Sequence, residues 1–233
     1  MGDLDGRKCW GLLRRRVCVV PTWRGWVALL GGLLVSGIAF VRVLHPLLTT
    51  NQRVAADFLI VEGWGPDFVM KFAIEEFRRG GYRQMVVTGG PLEKGSPLMQ
   101  YRTTAELGAV TIRELGLRTN VVAVPAPEVR KDRTYASALA LKRWFHQQGL
   151  DGARFNVLTI GPHARRTRMM FQAAFGPDRE IGIIAVPDER YDEAHWWASS
   201  QGFRTTIDEL VAYLYAVTLF RPTPEAELPA ELR

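Results

Sequence analysis

Between Asn156 and Met170 the chain reads N-V-L-T-I-G-P-H-A-R-R-T-R-M-M, its densest group of residues able to do chemistry. His163 can exchange a proton near neutral pH, or serve as a structural hydrogen-bonding group. Arg165, Arg166 and Arg168 crowd the first turns of a predicted helix whose N-terminal dipole end is already positive, so something negative should offset them. A helix start with free backbone N–H groups, a histidine and several guanidiniums predicts a cradle for a phosphate or carboxylate. The alternative is that the arginines pair with acidic side chains of neighbouring loops.

Other chemistry-bearing residues close apolar runs elsewhere. Glu62 ends one run and can act as a general base, bind a ligand hydroxyl or pair with an arginine. Thr88, Gly89 and Gly90 end another, and the glycine pair either admits an anion close to the backbone or makes a plain turn. A third loop carries Glu128, Arg130, Asp132, Arg133 and Thr134, where Asp132 and Thr134 are ligand contacts or helix caps. His163, His195, Asp188 and Asp192 fit no tight zinc spacing, so no metal site is assigned and no cofactor is named. Neither G-x-S-x-G, G-x-G-x-x-G nor G-x-x-x-x-G-K occurs. Trp196 and Trp197 line a pocket, face a bilayer or pack under the last helix.

The elements that must position these residues follow from periodicity. Short β-branched runs at Phe58–Val61, Met85–Thr88, Val121–Val124, Val157–Ile160 and Ile181–Val186 are predicted strands, each broken by Gly, Pro or polar residues. Helical patterns alternate with them. Phe68, Phe72 and Phe77 mark one helix, Thr103 to Leu115 a second, Leu139 to Phe145 a third, and the arginine stretch a fourth. In the last helix Ile207, Leu210, Val211, Leu214, Tyr215 and Thr218 share a face, which is predicted to dock on the domain. Alternating strands and helices predict one α/β domain with a parallel sheet of about five strands, doubly wound with helices on both faces. In such a sheet ligands bind beyond the carboxyl ends of the strands, where Glu62, Thr88 to Gly90, the Glu128–Thr134 loop and His163 would meet.

The basic balance, +6, belongs to the N-terminal arm. Residues 1–48 hold seven of the 30 Lys/Arg and two of the 24 Asp/Glu, leaving a nearly neutral body with 23 and 22. That gives no support to a nucleic-acid-binding domain. From Gly25 to Val41 no charge occurs, and with the apolar residues past Arg42 the run is long enough for a transmembrane helix. Six Lys/Arg precede it and few follow, which places the N-terminus in the cytoplasm and the main domain outside it. A cleaved signal peptide, with Ser36, Gly37 and Ala39 as processing residues, is the competing reading. The expected organisation is a basic arm (1–24), a membrane anchor (25–48), an α/β domain (49–221) entered through a short linker at Thr49–Arg53, and a Pro-rich tail (222–233). Cys9 and Cys18 both precede the anchor, so the domain has no disulfide framework or catalytic thiol.

A-D-F-L-I-V (56–61), V-V-T-G-G-P (86–91), R-T-Y-A-S-A-L (133–139) and P-H-A-R-R (162–166) together resemble the ElyC/SanA/YdcF family over about Ala56 to Phe220. His163 and Arg166 match that family's H-x-x-R. Its T-x-E-N-A reads Thr134-Tyr135-Ala136-Ser137-Ala138 here, so Glu62 or Asp132 would have to replace the lost carboxylate. The resemblance implies a Rossmann-like domain of a bacterial envelope protein in cell-wall or surface-polysaccharide biogenesis.

The expected function is therefore binding of an anionic, phosphate-bearing metabolite such as a lipid-linked sugar precursor. His163, Arg165, Arg166 and the glycine pair would hold the anion, and Thr134 and Glu62 would contact the rest of the ligand. Hydrolysis or transfer at a phosphoryl or glycosyl centre would use Glu62 or His163 as proton carrier. The rival expectation is a non-catalytic assembly factor whose aromatic loop around Trp196 docks a protein or the membrane.

Overall fold

The computed structural model describes residues 19–93 and 100–223, with the backbone of 7–8 and 13–14. Most of the basic arm with Cys9 and Cys18, the loop residues Lys94 to Ser96, and the tail from Pro224 lie outside the described residues. The chain divides into two units, 1–41 and 42–233.

In the first unit a two-residue antiparallel ladder pairs Arg7 with Arg14 and Lys8 with Leu13. Helix α1 (Trp23–Leu48) begins there and ends in the second unit. Thr22 starts it, its Oγ1 accepting from Gly25 N at 3.3 Å. At 26 residues, with a mean hydropathy of 2.2 over an 18-residue window, α1 is long and apolar enough to cross a membrane.

The second unit is a doubly wound α/β domain. Strands β1 (Phe58–Glu62), β2 (Gln84–Gly89), β3 (Val121–Pro125), β4 (Phe155–Ile160) and β5 (Ile181–Val186) form one sheet in the order β3-β2-β1-β4-β5. Every pairing in it is parallel. Between the strands run α2 (Asp67–Gly80), α3 (Thr104–Glu114), α4 (Arg133–Gln147) and α5 (His163–Phe175), and α6 (Ser200–Thr218) follows β5. Right-handed crossovers put α2 and α3 on one face and α4 and α5 on the other, because the order reverses between β1 and β4.

Side-chain alternation in each strand feeds both faces. Phe58 and Ile60 join Phe145, Phe155 and Phe171 in the core under α4 and α5. Leu59 and Val61 join Val69, Met70 and Ile112 under α2 and α3. Each buried ring or branched chain of this size contributes about 1.5–3 kcal/mol. The period of two also puts Glu62 on the α5 side, in step with Phe58 and Ile60.

Three sequence expectations are corrected. Thr49–Arg53 is no loose linker: Gln52 exchanges backbone hydrogen bonds of 2.8 Å with Ile183, and Arg53 bonds Glu76 through Nε and Nη2. Arg42–Leu48 belong with the domain, where Leu44 and Leu48 are buried. The docking face of α6 is not the predicted one. Gly202, Thr206 and Ala216 are its buried residues, while Val211, Leu214 and Tyr215 are exposed. Small side chains let α6 approach closely; a Cβ on Gly202 would strike the carbonyl of Trp196.

Candidate functional site

At the carboxyl ends of the strands a cleft of about 720 Å³ opens at the point where the strand order reverses. Glu62 and Trp64 reach it from β1, Gly89 to Pro91 from β2, Arg130 to Thr134 from the turn into α4, His163 and Arg166 from α5, and Glu209 from α6. The four loops expected to converge do so.

Its floor is a charged relay. His163 Nδ1 lies 2.7 Å from Glu209 Oε1, and Arg166 grips the same carboxylate through Nε (3.0 Å) and Nη2 (3.1 Å). Nδ1 must carry a proton to donate to Glu209. The 2.9 Å approach of Arg166 Nη2 to Nδ1 is therefore a contact of two donors around one shared acceptor. On the other side of the ring, Nε2 stands 3.6 Å from Glu62 Oε2, too far for a hydrogen bond, and has no hydrogen-bond partner among the described residues. Thr167 Oγ1 donates to that Glu62 oxygen at 3.1 Å. The half-exposed Trp64 indole meets the His163 ring edge-on, with centroids 4.9 Å apart.

These positions decide the protonation. Burial by itself lowers the imidazole pKa, but Glu62 and Glu209 outweigh it and hold His163 up at about 9. Burial likewise raises both carboxylates, and again the partners win. His163 and Arg166 bring Glu209 down to about 2, and His163 is the main influence keeping Glu62 below its ordinary value. At neutral pH two carboxylates face one imidazolium and one guanidinium, so the floor is close to neutral. The cleft's unspent positive charge sits at its rim. Arg130 and Lys131 are exposed and unpaired among the described residues, Asp132 beside them is an unpaired carboxylate, and Arg133 pairs with Glu93, which leaves the rim a net charge of one positive. The first turn of α4 carries no acidic residue and no side-chain cap, so its N-terminal dipole adds to that charge.

No family model, curated protein or solved structure matches the chain.

Of the residues picked out in the sequence, Glu62, His163, Gly89, Gly90, Asp132, Thr134 and Arg166 line the cleft. Arg166 is there as a partner of Glu209, the pairing alternative, and is not free for a ligand. Asp132 occupies the N-cap position in a left-handed conformation (φ 57°) without making a capping bond. Gly89 is a packing glycine, since a Cβ there would collide with Thr104 Oγ1. Thr88 is fully buried behind the cleft wall. Arg165 points elsewhere. One helical step of about 100° separates it from Arg166, and its Nε donates to the Leu47 carbonyl at 2.5 Å. Asp188 binds Arg190, and His195 binds Asp192, away from the cleft. Trp196 is buried at 2 % exposure and stacks on Phe203 of α6, the packing alternative.

Sequence reasoning missed Glu209, Thr167, Trp64 and Lys131. The signal for Glu209 lay in its spacing from Gly202, Thr206, Tyr213 and Ala216, a face of small and polar residues at helical intervals.

Proposed function

We propose that the chain is a membrane-anchored bacterial envelope protein of the ElyC/SanA/YdcF type, whose cleft binds a phosphate-bearing metabolite for cell-wall or surface-polysaccharide assembly. The excess of Lys/Arg before α1 supports a cytoplasmic N-terminus and an extracytoplasmic domain at the cytoplasmic membrane. The observation that carries the binding reading is the Nε2 of a protonated, buried His163, which faces Glu62 at 3.6 Å and has no hydrogen-bond partner among the described residues, on the floor of a cleft with a cationic rim.

Arg130, Lys131 and the N-terminus of α4 hold the anion, and Gly90, with open space beside its Cα, leaves room for it. His163 Nε2–H donates to a ligand oxygen. In hydrolysis or transfer at a phosphoryl or glycosyl centre, that proton goes to the leaving oxygen. Glu62 then takes the proton of the attacking water or alcohol, so the bond made and the bond broken are balanced by one proton in and one out. Glu209 and Arg166 position the imidazole.

The test is thermal stability of the full chain in detergent against inorganic phosphate, sugar nucleotides, isoprenoid phosphates and S-adenosylmethionine. A ligand at a hundred times its Kd stabilises by about 2.7 kcal/mol. The reading requires a shift that disappears in Arg130→Ala/Lys131→Ala and shrinks in His163→Gln. A panel with no shift on a folded protein would end it.

A further inference from the structure

The domain begins where the apolar run ends. Leu44 and Leu48 of α1 are buried in it, His45 Nε2 lies 3.0 Å from the Tyr191 hydroxyl, and Leu47 O accepts from Arg165. At 1.5 Å per helical residue, only about 5 Å of chain separates Val41 from the first buried contact. Where α1 crosses a bilayer, the chain itself therefore keeps Arg42 to Leu47 within a few residues of its surface. Tyr191 and Trp197, which Arg42 and His45 contact, follow the carboxyl end of β5, so this is the end of the sheet that carries the cleft.

Helix α6 passes the same place. Arg42 lies 5.8 Å over the Trp197 ring, Trp197 packs on Trp196, and Trp196 stacks on Phe203 of α6. Ten residues later, Arg165 links Leu47 O to the Tyr213 ring at 5.7 Å. From Leu210 to Phe220 the chain has no charged residue. In that stretch Val211 (61 %), Leu214 (51 %), Val217 (50 %) and Leu219 (69 %) are exposed. Val211, Leu214 and Val217 share one side of α6, and Leu219 lies just past its last residue. Beside Tyr213 and Thr50 lies an open groove of about 570 Å³ that holds Arg165 and Arg168 and no acidic residue.

We propose that this face is a membrane-contact surface. The outer side of α6 rests in the interfacial layer of the bilayer that α1 enters, and Arg165 and Arg168 lie on lipid phosphates. Apolar helix faces, tryptophans and guanidiniums are the groups that this layer accepts. The inference does not depend on what the cleft binds.

The test is spin-label depth measurement on the full chain in nanodiscs of phosphatidylethanolamine and phosphatidylglycerol, with Cys9→Ser and Cys18→Ser as background. Labels are introduced singly through Leu214→Cys, Val217→Cys and, as control, Arg118→Cys in the exposed turn before β3. The expected result is collision with oxygen several-fold favoured over a water-soluble nickel chelate at Leu214 and Val217, and the reverse at Arg118. Nickel access at Leu214 and Val217 equal to that at Arg118 would overturn the proposal. So would dipolar broadening there, removed by dilution with unlabelled chain, since it would show a second copy covering the face. A further change, Arg165→Glu/Arg168→Glu, should make the labels at Leu214 and Val217 shallower; unchanged depth would remove the arginines from the surface.

Discussion

His163 and Glu209, separated by 46 residues, meet at 2.7 Å, and this contact joins the helix that follows β4 to the last helix of the domain. It fixes the imidazole between two carboxylates, since Glu62 stands 3.6 Å from the opposite nitrogen. The proton on His163 is thereby a property of three elements brought together, and each can be tested.

Stability should depend on this proton. The unfolded histidine titrates near 6.5 and the folded one near 9. Between those values the folded state binds the extra proton, so stability is complete below about 6.5 and falls as pH rises towards 9. The loss is on the order of 3 kcal/mol. Glu209 acts at the other end. With its pKa brought down to about 2, its contribution is present above 4.5 and fades as pH falls through that range. Thermal unfolding across pH 6 to 10 should show the alkaline decline in the native chain and a flatter profile in His163→Gln. Equal slopes would refute the assignment.

Removing Glu209 leaves the buried His163 cation beside the partly exposed Arg166 guanidinium. Glu209→Ala should cost about 3–5 kcal/mol and lower the His163 pKa, read from the imidazole proton resonances. Arg166→Ala, which strips two hydrogen bonds from the carboxylate, should be destabilising too. A double-mutant cycle should give a large coupling energy, because the two residues share one ion pair. Additive effects would show that they act separately.

Asn156 holds the amino end of the sheet. Its Oδ1 accepts from Val54 N, and its Nδ2 donates to Val54 O and the Tyr82 hydroxyl, all at 2.9 Å. Tyr82 in turn donates to Glu76, which Arg53 binds. Asn156→Leu would strand these buried groups at about 1–3 kcal/mol for each unsatisfied one. Tyr82→Phe should be milder, about 1 kcal/mol. If the two variants proved equally stable, the network would not hold the segment.

Gly108 gives a prediction of opposite sign to helix propensity. Alanine is the better helix former by about 1 kcal/mol. A Cβ at position 108 would, however, lie 2.8 Å from Gly63 Cα and 3.0 Å from a Val87 methyl. Overpacking of this kind costs about 1–3 kcal/mol, so Gly108→Ala should lower the unfolding temperature. A raised Tm would mean that α3 can move away from the turn after β1.

The five strands, the helices between them and the apolar α1 were legible in the sequence because local composition decides them. β-branched runs bounded by Gly and Pro, and a 17-residue stretch without charge, leave few alternatives. Parallel connectivity then carries Glu62, Gly90, Asp132 and His163 to one edge, since each follows the carboxyl end of a strand. The direction of individual side chains was not legible. Arg165 and Arg166 are neighbours of identical chemistry, and only the placement of Leu47 on one side and Glu209 on the other sends them apart. Helix α6 is apolar on more than one face, so its periodicity allowed two dockings. The small residues Gly202 and Ala216 and the ion pair of Glu209 decided between them. Sequence by itself determined the elements and the end of the sheet where the polar residues gather. Tertiary structure alone decided which charges neutralise each other and which remain for a ligand, because pairing across 46 residues depends on the closed fold and leaves no local signature.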